Sequence, residues 1–277
     1  MRLFDRWRAS AGTTTPSSST PRRTVAEVHD TDDAALDDVV RAHLERLTAA
    51  AENSPDTLGP REFEAALTSR LVAQRDLPPG DRRYQYVTPF APHVAEVLTL
   101  DLPMAVVTLP QERVAVGQRS FSALVSIGRQ NLERTLRTAE VEVRAVGDRR
   151  SACRTVVGDS PYTGSFARFL SEAAARFLPG ADTGNGVVFA VPDRHALVLS
   201  PCTTAPVTAA ALEHVPAQAR LLFDTGSGPV SPHVYHWYHR RLTCLTTEEP
   251  DGSLSLTTTP VLDTVLGATR RPGARVG

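Results

Sequence analysis

Two short apolar segments, residues 187–191 and 196–199, stand on either side of a Pro-Asp-Arg-His stretch. Apolar runs of this length, bounded by turn residues, are typical of buried β-strands. Proline favours a turn because its ring fixes φ, and aspartate favours one because it hydrogen-bonds nearby backbone groups. The sequence therefore predicts two buried strands joined by a tight turn, and so a sheet within the core.

Two amphipathic helices are expected to pack on such a sheet. Residues 120–138 have helical periodicity, and Ser120 can cap the helix by accepting an unpaired backbone N–H. Residues 165–178 form the clearest helical stripe, and Pro179-Gly180 ends it. The inward residues expected are Phe121, Leu124, Val125, Leu132 and Leu136 in the first helix, and Phe166, Phe169, Leu170, Ala173, Ala174 and Phe177 in the second.

Further elements follow from hydrophobic periodicity. Strands are expected at 94–100, 104–109, 141–146, 152–157 and 234–246, and the last can form a hairpin with 254–258 around Asp251-Gly252. Helices are expected from Asp32 onward, at 60–73 and at 207–215.

These elements predict an α+β fold, in which a mixed or antiparallel sheet is packed by two to three helices and preceded by an N-terminal helical extension. The expected organisation is a disordered tail at 1–30, the helical extension at 31–80 and the core at 84–247. Residues 248–277 are expected to form a hairpin remnant and a disordered tail. The first eight residues form a short basic amphipathic segment, which could dock on a partner or a membrane surface but is more simply a frayed end.

Composition narrows the function classes. The formal net charge is −1, from 30 basic and 31 acidic residues among 277, so the chain lacks the basic surplus of a nucleic-acid binder. The three cysteines form no CxxC pair, and no apolar run is long enough to span a bilayer. We therefore expect a cytoplasmic protein without a membrane span, a bound metal or another cofactor.

The Gly-Asp-Ser-Pro stretch at 158–161 is similar to the nucleophile block of GDSL-type hydrolases. If the protein is an enzyme, the first candidates are Asp159, Ser160, His195 and His236, and a serine nucleophile would need a base within reach. However, no histidine has the aspartate three residues earlier that accompanies this block. The same four residues also make a good turn, which is the interpretation we favour.

Three closely spaced histidines, His233, His236 and His239, suggest a metal site at first sight. On a strand, side chains alternate between faces, so His236 would point away from the other two. A helix would separate His233 and His239 too far for one zinc ion. The neighbouring aromatic residues favour structural histidines on a sheet surface.

A surface for a partner is the other kind of site that the sequence offers. Asp193 and Arg194 occupy the turn between the two apolar strands, where an exposed tip can contact a partner or simply be solvated. Tyr235 and Trp237, beside the histidines, could extend such a surface.

The order of several short motifs resembles the bacterial domain-of-unknown-function 1444 family across residues 84–247. The matching positions are Asp101-Leu102-Pro103, Asn131-Leu132, Asp159-Ser160 with Tyr162 and Ser165, Val191-Pro192 with Arg194, and Pro232 with Tyr235 and Trp237. The resemblance implies a fold and a bacterial cytoplasmic setting, and it implies no active residues. The alanine- and arginine-rich composition resembles that of high-GC actinobacterial proteins.

The function expected from the sequence is that of a non-catalytic binding or accessory protein with a protein or peptide partner. This expectation follows because no complete nucleophile, metal or phosphate constellation is visible. The alternative is an enzyme, a hydrolase or a tailoring enzyme, whose catalytic residues are dispersed along the chain.

Overall fold

The computed structural model describes residues 58–267, apart from positions 79, 104, 117–118 and 148–151, together with Arg41. Apart from Arg41, these residues belong to one compact unit. The expected tail at 1–30, the expected helix from Asp32 and the end of the chain after Gly267 lie outside the described residues.

The first sheet has four antiparallel strands. The elements of this part are helix α1 (Pro60–Ala66), strands β1 (Leu67–Ala73), β2 (Thr88–Ala91), β3 (Val94–Leu102) and β4 (Ala105–Thr108), and helix α2 (Gln111–Val116). Strand β3 pairs with β1 along one edge and with β2 and β4 along the other. The strands expected at 94–100 and 104–109 are confirmed as β3 and β4.

The helix expected at 60–73 is only half right, because it ends at Ala66 and β1 follows directly. Leu67 and Leu71 lie four positions apart, so they share a face on a helix and on a strand alike. Pairing decides between the two, since Leu67 lies opposite Leu100 and Ala73 opposite Val94. The apolar spacing of residues 67–73 therefore fits both conformations. Pairing with β3, which is distant in sequence, selects the strand.

Helix α3 (Phe121–Thr138) packs on the first sheet and confirms the helix expected there. Ser120 caps it by accepting the N–H of Ala123 at 3.3 Å. A Cβ at Gly128 would lie 2.9 Å from Leu98 Cδ2, so this glycine permits the close approach of helix and sheet. Phe121, expected to point inward, is 40% exposed instead.

The second sheet has six antiparallel strands in the order β10-β9-β7-β8-β6-β5. They are β5 (Glu142–Ala145), β6 (Arg154–Val157), β7 (Val187–Asp193), β8 (Ala196–Pro201), β9 (Val234–Tyr238) and β10 (Arg241–Cys244). The predicted buried hairpin is confirmed as β7 and β8, whose residues are all buried at the centre of this sheet. Helix α5 (Ala205–Thr225) packs on β7 and β8.

The strand expected at 234–246 is two strands, β9 and β10, joined at His239-Arg240. Both residues have positive φ, 46° and 62°, as the tight hairpin turn of right-handed twist requires. Asn-Gly usually marks such a turn, so His-Arg gave no signal. A hairpin does form around Asp251-Gly252, but its first strand is the separate β11 (Thr246–Glu248) and not the strand expected at 234–246. Its second strand is β12 (Leu254–Leu256), and helix α6 (Pro260–Val265) follows.

The helix expected at 165–178 is a 3₁₀ segment (Gly164–Phe169) followed by α4 (Leu170–Phe177). Phe169 lies at the junction with φ −122° and ψ 59°, outside helical geometry. A 3₁₀ turn advances about 120° per residue rather than 100°, so the apolar stripe changes phase there. Phe166 is therefore fully buried, whereas Phe169, which we expected beside it, is half-buried.

The architecture is the α+β class that the sequence predicted, with six α-helices and antiparallel sheets among the described residues. One hydrophobic cluster joins the two sheets through Leu71 and Val94 on one side and Phe166, Phe189 and Tyr235 on the other. None of the helices in the described part is both long enough and apolar enough to cross a membrane.

Candidate functional site

The turn between β7 and β8 is packed against neighbouring loops rather than exposed as expected. Asp193 is only 4% exposed. Its two carboxylate oxygens accept the backbone N–H groups of His195 (2.8 Å) and Gly228 (2.7 Å). The N–H of Gly164 donates to the carbonyl of Arg194 at 2.9 Å. Asp193 therefore stabilises the turn and presents no surface to a partner.

The structure brings His195 to the Gly-Asp-Ser-Pro stretch but does not pair it with Ser160. His195 Nδ1 lies 3.2 Å from the carbonyl oxygen of Gly158, and its Nε2 accepts from Arg194 Nε at 2.9 Å. Ser160 Oγ accepts the N–H of Tyr162 at 3.3 Å, as in an ordinary turn. Asp159 is exposed beside it. Since both ring nitrogens of His195 are engaged, the arrangement lacks the nucleophile–base contact of a serine hydrolase.

The buried histidines of the cluster have structural partners. His236 lies 3.0 Å from the Asn185 carbonyl oxygen and 3.1 Å from Thr259 Oγ1, and His233 lies 3.0 Å from Thr246 Oγ1. Burial lowers the pKa of both imidazoles, which favours their neutral form. His236 therefore ties β9 to the loops around it, and a role as base would require it to give up these bonds.

Tyr235 and Trp237, proposed from the sequence as surface residues, lie on β9. Tyr235 is fully buried, and its hydroxyl donates to the Pro92 carbonyl oxygen at 2.7 Å. Trp237 is half-buried and packs against the cluster between the sheets. Tyr235 thus joins the two sheets and is not available to a partner.

An open groove of about 470 Å³ runs along one flank of α3, opposite the first residue of β2 and the 3₁₀ segment. It is lined by Thr88, Phe121, Ser122, Val125, Ser126, Arg129, Gln130, Glu133 and Phe169. Phe121 and Phe169 supply aromatic surface, and the serines supply hydroxyl groups. This mixture of apolar area with a few polar groups is what binding sites of this volume use.

A buried carboxylate lies next to the groove. Glu96 on β3 is 7% exposed, and its Oε1 accepts from Ser69 Oγ (2.5 Å) and Arg129 Nε (2.8 Å). Its Oε2 accepts from Arg129 Nη2 (2.6 Å) and Arg168 Nε (3.2 Å). Burial by itself would raise the pKa of Glu96, but these hydrogen bonds and the two guanidinium charges hold that pKa below its ordinary value.

This network has a surplus of positive charge and of donors. Arg129 and Arg168 contribute two positive charges against the single charge of Glu96. Arg168 uses only Nε, and its terminal nitrogens make no hydrogen bond with a described residue. Glu133, the other acid of the groove, is paired with Arg137. Arg129 lines the groove, and Arg168 lies beside it through the shared Glu96 carboxylate, so the groove favours a ligand that combines an apolar group with a carboxylate.

Sequence reasoning missed this network, although one signal was available. Glu96 interrupts the apolar first half of β3, residues 94–98, and a buried carboxylate requires partners. Those partners are 33 and 72 residues away, so nothing local pointed to Arg129 or Arg168. Phe169 was noticed as a core residue and not as part of a groove.

Comparison with known proteins gives no match to this chain among family models, curated proteins or solved structures. The resemblance to the domain-of-unknown-function 1444 family therefore stays a prediction, and the groove carries the functional argument.

Proposed function

We propose that this protein is a non-catalytic binding or accessory protein, and that the groove beside α3 receives a short peptide segment of a protein partner. The observation that carries the proposal is the juxtaposition of the groove with a buried carboxylate bound by two arginines. Within the described part of the chain, neither Ser160 nor the histidines adjoin this groove, so a catalytic role for it has no support.

The chemistry of the groove indicates which peptide fits. Phe121 and Phe169 offer partly exposed rings that can pack on an apolar or aromatic side chain. The surplus guanidinium charge favours an aspartate, a glutamate or a terminal carboxylate in the same peptide. We therefore expect short segments in which a carboxylate stands close to a large apolar residue.

Selection from a displayed library of random peptides against the full chain tests this proposal. Enrichment of sequences with the expected carboxylate and apolar residue is the predicted result. Counter-selection uses Phe121→Ala and Arg168→Gln, which remove the ring and the surplus charge. Arg144→Gln, at an exposed arginine on β5 that does not line the groove, is the matched control.

Peptides enriched on the native protein should bind Arg144→Gln equally and lose most of their binding to the two groove variants. No enrichment, or enrichment that the groove variants retain in full, would contradict the proposal. A stable Ser160→Ala variant that binds normally is also expected, because Ser160 adjoins neither the rings nor the arginines.

We also propose that the protein works in the cytoplasm of a bacterium and belongs to the domain-of-unknown-function 1444 family. Support for the location comes from cysteines that form no paired framework in the sequence. Support for the family comes from the order of the short motifs across residues 84–247.

A further inference from the structure

Arg70 on β1 is a half-buried cation without a direct partner. Its Nε is inaccessible to solvent and has no hydrogen bond, and none of its nitrogens bonds or ion-pairs with a described residue. Arg70 lies opposite Val97 in the sheet, on the face that Thr68 and Thr99 share. A buried guanidinium donor left without an acceptor is costly, so such groups normally have one.

The 3₁₀ segment connects the strand that carries Arg70 with the turn that carries a second arginine, Arg194. The Leu71 N–H, next to Arg70, donates to Ser165 Oγ at 2.9 Å. The N–H of Gly164, next to Ser165, donates to the Arg194 carbonyl oxygen at 2.9 Å. Arg70 and Arg194 therefore flank the same turn of the 3₁₀ segment.

Arg194 is held in place but keeps its terminal nitrogens available. Its side chain lies against Gly228, where a Cβ would come within 2.5 Å of Cδ. Its Nε donates to His195 at 2.9 Å, whereas neither terminal nitrogen bonds to a described residue. The backbone and Nε thus fix the guanidinium, and its outer edge stays free to bind.

The surroundings do not neutralise the two arginines. The charged groups that act on Arg70 are Arg194 and Asp193. Both oxygens of Asp193 already accept backbone N–H groups, and Asp193 forms no ion pair with either arginine. Tyr162, the other neighbour of Arg70, is a neutral phenol because burial raises its pKa to about 12. Two cations against one engaged carboxylate leave a net positive charge in a partly buried place.

We propose that Arg70 and Arg194 together bind a small oxyanion, the phosphate or carboxylate group of a ligand, at the seam between the first sheet and the β7–β8 turn. Guanidinium groups present paired N–H donors that match the oxygens of such anions. An anion between the two would also remove their mutual repulsion, which partial burial strengthens. This site shares no residue with the groove beside α3.

Thermal unfolding of the full chain tests the proposal, with inorganic phosphate and acetate as probes and sodium chloride at matched ionic strength as the reference. At roughly tenfold excess over the dissociation constant, the preferred anion should raise Tm by about 3 °C. Arg194→Gln should abolish the rise, and the exposed Arg144→Gln should keep it. A phosphate response alone assigns a phosphate ligand, and an acetate response alone assigns a carboxylate.

Arg70→Met gives a second, independent readout. It should lose the anion response and, without phosphate or acetate, melt higher than the native protein, because it removes a half-buried guanidinium whose Nε has no acceptor. If Arg70→Met fails to fold, Arg194→Gln alone decides. Equal Tm shifts in Arg194→Gln and the native protein, or no shift beyond sodium chloride with either anion, would overturn the proposal.

Discussion

Phe166 and Phe169 show how one change of helical phase separates two similar side chains. Phe166 is fully buried against Phe177, with ring centroids 6.4 Å apart, whereas Phe169 lines the groove. Phe166→Ala should cost about 3–5 kcal/mol of unfolding free energy, because it leaves a cavity in the core. Phe169→Ala should cost only about 1–2 kcal/mol, because part of that ring is already in water. Denaturant melts measure both values.

Ser160→Ala is the control for this pair. It removes a single hydrogen bond within a turn, which is worth about 1 kcal/mol or less. Equal unfolding midpoints for Phe166→Ala and Ser160→Ala would show that the core lies elsewhere.

For single residues, the sequence predicted burial more readily than it predicted hydrogen-bond and ion-pair partners. Leu124, Leu132 and Leu136 are buried as their spacing predicted. The pairing of Glu96 with Arg129 and Arg168 could not be predicted, because it depends on how a sheet, a helix and a 3₁₀ segment meet. Burial follows from local hydrophobic periodicity, whereas hydrogen bonds and ion pairs between distant residues follow from the topology of the fold.

Among the elements, α3 is joined to the start of the first sheet by one amide. Asn131 Nδ2 donates to the Glu64 carbonyl oxygen at 2.8 Å and to that of Leu67 at 2.7 Å, where α1 becomes β1. Asn131→Asp keeps the shape but replaces the donor with a charged acceptor facing two carbonyl groups. We expect a loss of about 2–3 kcal/mol in a denaturant melt, whereas Gln130→Glu, on the same helix, should change stability little.

The β7–β8 turn docks on the 3₁₀ segment too closely for any side chain at Gly164. A Cβ there would lie 2.4 Å from the Asp193 carbonyl oxygen, and a backbone atom cannot move aside cheaply. Gly164→Ala should therefore cost about 3 kcal/mol or more. Gly59→Ala is the comparison, because its Cβ would meet only the flexible Glu62 carboxylate at 3.4 Å. Similar melting temperatures for the two variants would refute the close docking.

The elements themselves were largely predictable, and the exceptions share a cause. The hydrophobic patterns of the β7–β8 hairpin and of α3 each fit one type of secondary structure, so they predict these elements without any knowledge of the tertiary structure. Residues 67–73 fit a helix and a strand equally, and pairing with β3 decides between them. His239-Arg240 turns because the strands on both sides pair, not because its own residues favour positive φ.

For the whole molecule, the titration of buried groups predicts a two-stage loss of stability in acid. Burial, and for His233 also the adjacent His93, lowers the pKa of His233 and His236 in the folded protein, although Glu248 acts on His233 in the opposite direction. The unfolded chain therefore binds these protons more readily. Stability should be fully present above a pH of about 6.5 and should fall as the pH drops below that value.

Glu96 acts in a lower range. Its folded pKa lies below the ordinary value, so its contribution is present above a pH of about 4.5 and is lost as the pH falls through the folded pKa. Unfolding free energies measured from pH 7 to pH 3 should show both stages. His233→Asn, which keeps a polar atom near Thr246 Oγ1, should flatten the upper stage only, and an unchanged upper slope would contradict the assignment.

The overall architecture also determines why the groove could not be predicted from the sequence. Its walls come from α3, from the first residue of β2 and from the residue where the 3₁₀ segment changes to α4. The residues of each wall belong to a different segment of the sequence, and only the folded sheet and helix bring these segments together. The α+β class of the fold was within reach of the sequence, but the groove was not.

Isothermal titration of one selected peptide into the native protein, Phe169→Ala, Arg168→Gln and Arg144→Gln tests the binding account most directly. The account predicts a loss of affinity of about tenfold or more for Phe169→Ala and Arg168→Gln, because each removes a contact of roughly 1.4 kcal/mol or more. It predicts native affinity for Arg144→Gln. The same affinity for all four proteins would contradict binding in the groove beside α3.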